Sequence, residues 1–155
     1  MIIIGYQGIG KSTVVRQNPG RKFIDLESSN FWVDGKRAEN WHIVYCQIAM
    51  DLSSQGFIVF TSSHKEVRNW FIENGKGEKI YTCSPDITLK EQWISKLQQR
   101  YAVSKLEKDR KAMLNAEQCF IENVTDIQSD GEKLNGNIII HQNYYDLKVL
   151  ITSVY

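Results

Sequence analysis

The chain is 155 residues long, 42% hydrophobic and 24% charged, which leaves room for one domain with a real core but not for two lobes. Basic and acidic side chains number 19 and 18, so a formal charge of +1 carries no global attraction to nucleic acid or to an anionic membrane. Three cysteines, Cys46, Cys83 and Cys119, lie far apart without C-x-x-C spacing, which argues against disulfides or zinc and for buried thiols in a reducing compartment.

Met1-Ile2-Ile3-Ile4 reads as a short buried strand. Gly5-Tyr6-Gln7-Gly8-Ile9-Gly10-Lys11-Ser12 then spells G-x-x-x-x-G-K-[ST], the phosphate-binding P-loop, and Lys11–Arg16 opens a helix. Glycines let such a loop curl until consecutive backbone N–H groups face phosphate oxygens, and the helix start adds its positive end. Gly8, Ile9, Gly10, Lys11, Ser12 and Thr13 are therefore expected to hold a nucleotide triphosphate. Lys11 would reach the β/γ-phosphates and Ser12 would ligate Mg²⁺.

Asn18-Pro19-Gly20 stops that helix, and residues 22–26 read as a second strand. A loop with Asp34, Gly35, Lys36 and Arg37 leads to a helix over about 39–55, with Trp41, Tyr45, Ile48 and Leu52 at helical spacing and Gly56 as cap. Residues 57–61 form the clearest buried strand. A short helix with Val67, Trp70 and Phe71 inward ends near Asn74-Gly75, and a fourth strand covers 79–83. Thr88-x-x-Glu91 and Ser104-x-x-Glu107 read as capping boxes, the first opening a helix to about Tyr101 and the second restarting or kinking it. Phe120, Val124 and Ile127 mark a further helix. The loop 129–136 precedes a fifth strand at 137–140, and a last helix starts near Asn143. No stretch approaches ~18 apolar residues and no leader pattern is seen, so a cytoplasmic protein without membrane contact is expected.

Short apolar strands alternating with helices imply an α/β fold with a parallel sheet covered on both faces. The expected architecture is a three-layer P-loop NTPase fold, five parallel strands flanked by helices, in one domain over 1–155. Ligands bind at the carboxyl ends of such strands. The P-loop, Asp25/Glu27, Thr61–His64, Ser84/Asp86 and His141/Asn143 are thus expected on one rim. An N-K-x-D guanine signature is absent, and the strand 57–60 runs into Thr61-Ser62-Ser63 rather than an acidic pair. Those absences leave the small-molecule kinases.

With these residues the chain resembles the nucleoside monophosphate kinase-like family, whose smaller relatives include shikimate and gluconate kinases. Phe23-Ile24-Asp25-Leu26-Glu27 is similar to the family's second-strand acidic pair. Lys36-Arg37-x-Glu39 is similar to its acceptor-binding arginine region, and Phe60–Arg68 to the segment after strand three in gluconate-kinase-type sequences. Lys96 and Arg100 resemble lid cations that close over the phosphates, and the resemblance implies a small hinged lid, around 96–111. The resemblance implies ATP and Mg²⁺ as cofactors, with a nucleotide triphosphate donor and a small-molecule acceptor.

Asp25 and Glu27 point the same way from their strand. Asp25 is expected to ligate Mg²⁺ through water, beside Ser12, or to act as base for a hydroxyl acceptor; a solvated strand end is the alternative. Glu27, Arg37, Ser63, Arg68 and Lys96 are the acceptor-binding candidates, since arginine's planar fork suits phosphate or carboxylate. Lys11, Asp25 and Arg100 are the catalytic candidates. Lys96 and Arg100 share a helix face, which could equally be a solvated stripe. Lys105, Lys108, Arg110 and Lys111, interleaved with Glu107 and Asp109, read as a solvated helix. Phe31 and Trp32 are balanced between stacking on a ligand and plain packing, while Trp41, Trp70 and Trp93 read as core. His64 is weighed between acceptor contact and capping, and His141 as part of an adenine-side loop.

The expected activity is ATP-dependent phosphoryl transfer to a small acceptor, nucleoside monophosphate kinase-like. A hydroxyl-acceptor kinase of sugar-acid or shikimate type, or a nucleotide-binding regulatory protein, are the alternatives. Nucleic acid is disfavoured as a partner, and either a monomer or a homodimer is compatible.

Overall fold

A computed structural model describes all 155 residues. In chain order it contains β1 (Ile2–Gly5), α1 (Lys11–Gln17), β2 (Phe23–Asp25), β3 (Trp32–Val33), β4 (Lys36–Arg37), α2 (Trp41–Ser54), β5 (Ile58–Thr61), α3 (Lys65–Asn74), β6 (Ile80–Pro85), α4 (Lys90–Ser104), α5 (Glu107–Glu132), β7 (Asn137–Ile140) and α6 (Leu147–Thr152). Five strands form one parallel sheet in the order β2-β5-β1-β6-β7.

β1 lies in the middle, with Ile3 opposite Phe60 on one side and Tyr81 on the other. Its unbroken apolar run follows from burial on both faces. Ile2 and Ile4 join Val59 and Ile80 against Trp41, Tyr45, Cys46 and Ala49 of α2 and Val67 and Phe71 of α3. Ile3 joins Phe60, Cys83 and Ile138 against Val14 of α1 and Leu147 and Ile151 of α6. Helices thus cover both faces. Trp93 and Leu97 of α4 and Phe120, Val124 and Ile127 of α5 belong to that second cluster. From β1 the chain reaches β2 by way of α1, and from β5 it reaches β6 by way of α3 on the opposite face. The carboxyl ends of β1 and β5 consequently flank a switch point, where open α/β sheets leave a crevice.

Several local expectations are corrected. Neither capping box forms. Asp86, not Thr88, caps the turn ahead of α4 by accepting from Thr88 N at 2.9 Å, and α4 itself begins at Lys90 without a side-chain cap. Ser104 Oγ accepts from Leu106 N and donates to Asp109, so it closes the α4–α5 turn, in which Lys105 takes a φ of 55°. The expected loop at 129–136 is shorter, because α5 runs to Glu132. Gly131 sits inside that helix and allows close approach, since a Cβ there would overlap Asn137 and Thr82. The last helix starts at Leu147, capped by Asp146, rather than near Asn143. The 32–37 loop contains a hairpin whose turn residues Asp34 and Gly35 have φ 52° and 77°. Asp-Gly is a strong hairpin signal.

Candidate active site

The turn after β1 is built by two glycines. Gly8 and Gly10 take φ values of 83° and 99°, which L side chains rarely adopt. At Gly8 a Cβ would also stand 3.1 Å from both Trp93 Nε1 and Leu97 Cδ2. Three successive carbonyls are committed to protein donors. Gln7 O accepts from Trp93 Nε1 at 2.8 Å, Gly8 O from Lys96 Nζ at 3.4 Å, and Ile9 O from the Tyr145 hydroxyl at 2.8 Å. The amides of residues 7–13 donate to no other backbone group, and the first to do so is Val14, to Gly10 O at 3.0 Å. Consecutive free amides in a glycine turn are an anion-binding concavity.

This turn forms one wall of a cleft of about 790 Å³ at the carboxyl end of the sheet. Gly8, Gly10, Lys11, Ser12, Thr13, Asp25, Glu27, Arg37, Ser63, Arg68, Lys96 and Arg100 all line it, so the expected site residues do meet in one place. Ile9 is the exception. Its side chain is buried in the core, and only its backbone belongs to the turn. Eight lysines and arginines line the cleft against three carboxylates, Asp25, Glu27 and Asp109, in a chain whose formal charge is only +1.

Lys11 Nζ rests 3.4 Å from Gly5 O and 3.5 Å from Thr61 O. Burial lowers its pKa, partly offset by the carboxylates of Asp25 and Glu27. Burial likewise raises the Asp25 carboxyl above its ordinary range, while Lys11 pulls it back. Each of the two partly compensates the desolvation of the other.

Across from Lys11, Arg37 NH2 donates to Ser28 Oγ at 3.0 Å, and its guanidinium lies 4.9 Å from the Trp41 ring and 5.5 Å from that of Trp32. Its Nε is buried without a hydrogen-bond partner. His64 packs edge-on to Trp41 and its Nδ1 is 2.8 Å from Ser62 Oγ. Burial, reinforced by the Arg37 charge, pushes the His64 imidazole down to about 4 and keeps it neutral at pH 7.

The α4–α5 hairpin supplies the opposite wall. Arg100 Nε is 3.2 Å from the buried Asp109, which fixes its base while the side chain stays accessible. Lys108 and Lys111, expected in a solvated stripe, instead line the cleft. Lys108 Nζ is 3.6 Å from Glu27, and Lys111 Nζ lies 4.6 Å from the Trp32 ring. Their i,i+3 spacing is the sequence signal for a shared face.

Other expectations change. Arg68 lines the cleft, but Nε donates to Ser63 O at 2.9 Å and NH1 pairs with Asp126 at 2.9 Å and with buried Asp130. Most of its guanidinium therefore holds α3 to α5. Lys96, expected as an acceptor-side lid cation, lines the cleft but lies 4.0 Å over the Trp93 ring and braces the glycine turn through Gly8 O. Phe31 packs on Tyr45 and Trp41 in the core, whereas Trp32 reaches the cleft. Ser84 is buried against Gln128, and His141 faces Asp86 at 3.5 Å outside the cleft, so that part of the expected rim does not converge. Trp93 and Tyr145 were not legible as turn-holding groups. The available hint was that a buried indole N–H or phenol O–H needs a partner.

No cluster of three or more His, Cys, Asp or Glu side chains is placed to hold a metal unaided. Mg²⁺ travelling with phosphates keeps several waters and takes only one or two protein oxygens. The Ser12 hydroxyl and Asp25 carboxylate, both on the cleft wall, fit that demand. No helix is long and apolar enough to cross a membrane. No protein-family model and no curated protein matches this chain.

Proposed function

We propose that the protein is an ATP-dependent phosphotransferase with a P-loop NTPase fold, acting on a small acceptor in the manner of a nucleoside monophosphate kinase. One observation carries the reading: a run of free amides at 7–13 opens, together with Lys11 and Asp25, into a single cleft rich in cations. Phosphoryl transfer needs positioning and charge neutralisation more than covalent help. The 790 Å³ cleft is near the upper end for small-molecule sites, which suits two ligands meeting in line.

In this reading the turn amides and Lys11 bind the donor's β- and γ-phosphates. Ser12 directly and Asp25 through water would hold Mg²⁺, which would supply charge neutralisation at the phosphates. Arg37, on the cleft wall with its guanidinium against Trp41 and Trp32, holds the acceptor anion. Arg100, fixed by Asp109, neutralises the transferring group from the hairpin side. Glu27 positions Lys108.

The raised carboxyl of Asp25 favours a second reading, in which it accepts the proton of a hydroxyl acceptor. The deciding experiment is incubation with Mg²⁺-ATP and pooled ribo- and deoxynucleoside monophosphates, read by mass spectrometry with Lys11→Ala as control. A Lys11-dependent diphosphate supports the first reading. ATP binding without any diphosphate turns attention to hydroxyl acceptors or to a regulatory protein.

A further inference from the structure

One side chain hydrogen-bonds the glycine turn to α5. Gln7 Nε2 donates to Ala112 O at 2.9 Å and to Asn115 Oδ1 at 3.1 Å, both on α5. Asn115 Oδ1 also accepts from Asn123 Nδ2 at 3.0 Å, across the break in helical geometry at Cys119. On the other side, the Gln7 carbonyl receives the Trp93 indole of α4. Gln7 thus stands between the phosphate-facing turn and both helices of the hairpin.

The two halves of α5 are unequal. Before Cys119 the buried residues are Asp109 and Ala116, whereas after it they are Phe120, Val124, Ile127, Asp130 and Gly131. Sparse burial places the first half, residues 107–118, at the low-stability end of the molecule. That half carries Lys108 and Lys111. Apart from Gln7, its polar ties to the rest are the half-exposed Lys108–Glu27 pair, Lys111 over the Trp32 ring, and contacts to α4.

We propose that Gln7 is a positioning residue that couples phosphate binding at the turn to the placement of the α5 arm, and so of Lys108 and Lys111. The inference rests on the phosphate-binding reading of the turn and extends it. Free amides at 7–13 leave the turn held mainly through its carbonyls. A polyphosphate engaging those amides orders the Gln7 backbone, and the amide side chain passes that order to Ala112 and Asn115. Linkage requires the converse too: an ordered arm improves phosphate affinity.

Hydrogen exchange of residues 107–118, measured with and without inorganic tripolyphosphate, tests this in the full chain. Wild-type exchange in that segment is expected to slow at least about fivefold on binding. In Gln7→Ala, which removes both bonds to α5, the ligand-dependent slowing is expected to vanish, and in Asn115→Ala, which removes no atom of the turn and leaves the Gln7–Ala112 bond, it is expected to shrink. A merely structural role would speed exchange equally in free and bound protein and leave the ratio unchanged. A large loss of tripolyphosphate affinity in Asn115→Ala would also support coupling. Equal slowing in wild type and both variants, or none in ligand-bound wild type, overturns the coupling alone. Failure of wild-type protein to bind tripolyphosphate overturns the phosphate-binding reading, and the coupling with it.

Discussion

The Trp93 indole N–H donates to the Gln7 carbonyl over 2.8 Å, while its ring lies under Lys96, which reaches Gly8 O. One core side chain of α4 therefore sets the position of two consecutive peptide units in the glycine turn. The closeness of Trp93 also leaves no room for a side chain at residue 8.

Gly8→Ala is accordingly expected to destabilise the fold by roughly 1–3 kcal/mol, from the left-handed φ together with displacement of Trp93. Tripolyphosphate binding is expected to fall with it. Urea unfolding and calorimetric titration check the two effects. Gly10→Ala, with open space around its Cβ, is expected to cost less stability.

Lys11→Ala is expected to reduce phosphoryl transfer by at least about a hundredfold. Its ammonium has only two long contacts to carbonyls, and relief of its own desolvation offsets the lost attraction to Asp25, so the fold is expected to remain about as stable as wild type. A melting temperature lowered by more than ~5 °C would contradict this account of Lys11.

Arg68→Ala is expected to act chiefly on stability. Its partner Asp130 is buried, with a side chain only 2% exposed, and truncation leaves it only the more exposed Lys65 at 3.0 Å and Lys133 at 3.6 Å, a loss of roughly 1–3 kcal/mol. The double substitution Arg68→Met with Asp130→Leu, which removes both charges, is expected to recover most of that loss in denaturant unfolding.

His64 gives a pH signature. Its folded pKa of about 4 lies below the ordinary 6.5, so the unfolded chain takes up the proton first as pH falls. Stability from this site is full above pH 6.5 and is lost progressively down to about 4. Between pH 7 and 5 the loss is about 2 kcal/mol. The difference in urea midpoint between wild type and His64→Asn at the two pH values isolates it, and no change in that difference would refute the assignment.

The five sheet strands, their parallel and doubly covered arrangement, and the glycine turn could be read from the residues alone. These are matters of local period and backbone preference: Ile2–Ile4 is apolar on both faces, and Gly8 and Gly10 permit positive φ. The sequence also marked Asp25 and Glu27 for the rim, because a strand of known direction delivers its carboxyl end there. The Asp34-Gly35 hairpin was read only as a loop, although the dipeptide carries its signal.

The tertiary structure alone decided which distant groups meet. Arg68 and Asp126 are 58 residues apart, and Gln7 and Asn115 are 108 apart. No period within one helix specifies such pairs. Alternating charges around Lys108 and Lys111 satisfy a solvated helix as well as a cleft wall, until the fold of the hairpin places Glu27 and Trp32 beside them. Charge pattern fixes what a side chain can do, but topology fixes what it faces, and that divides the legible part of this site from the rest.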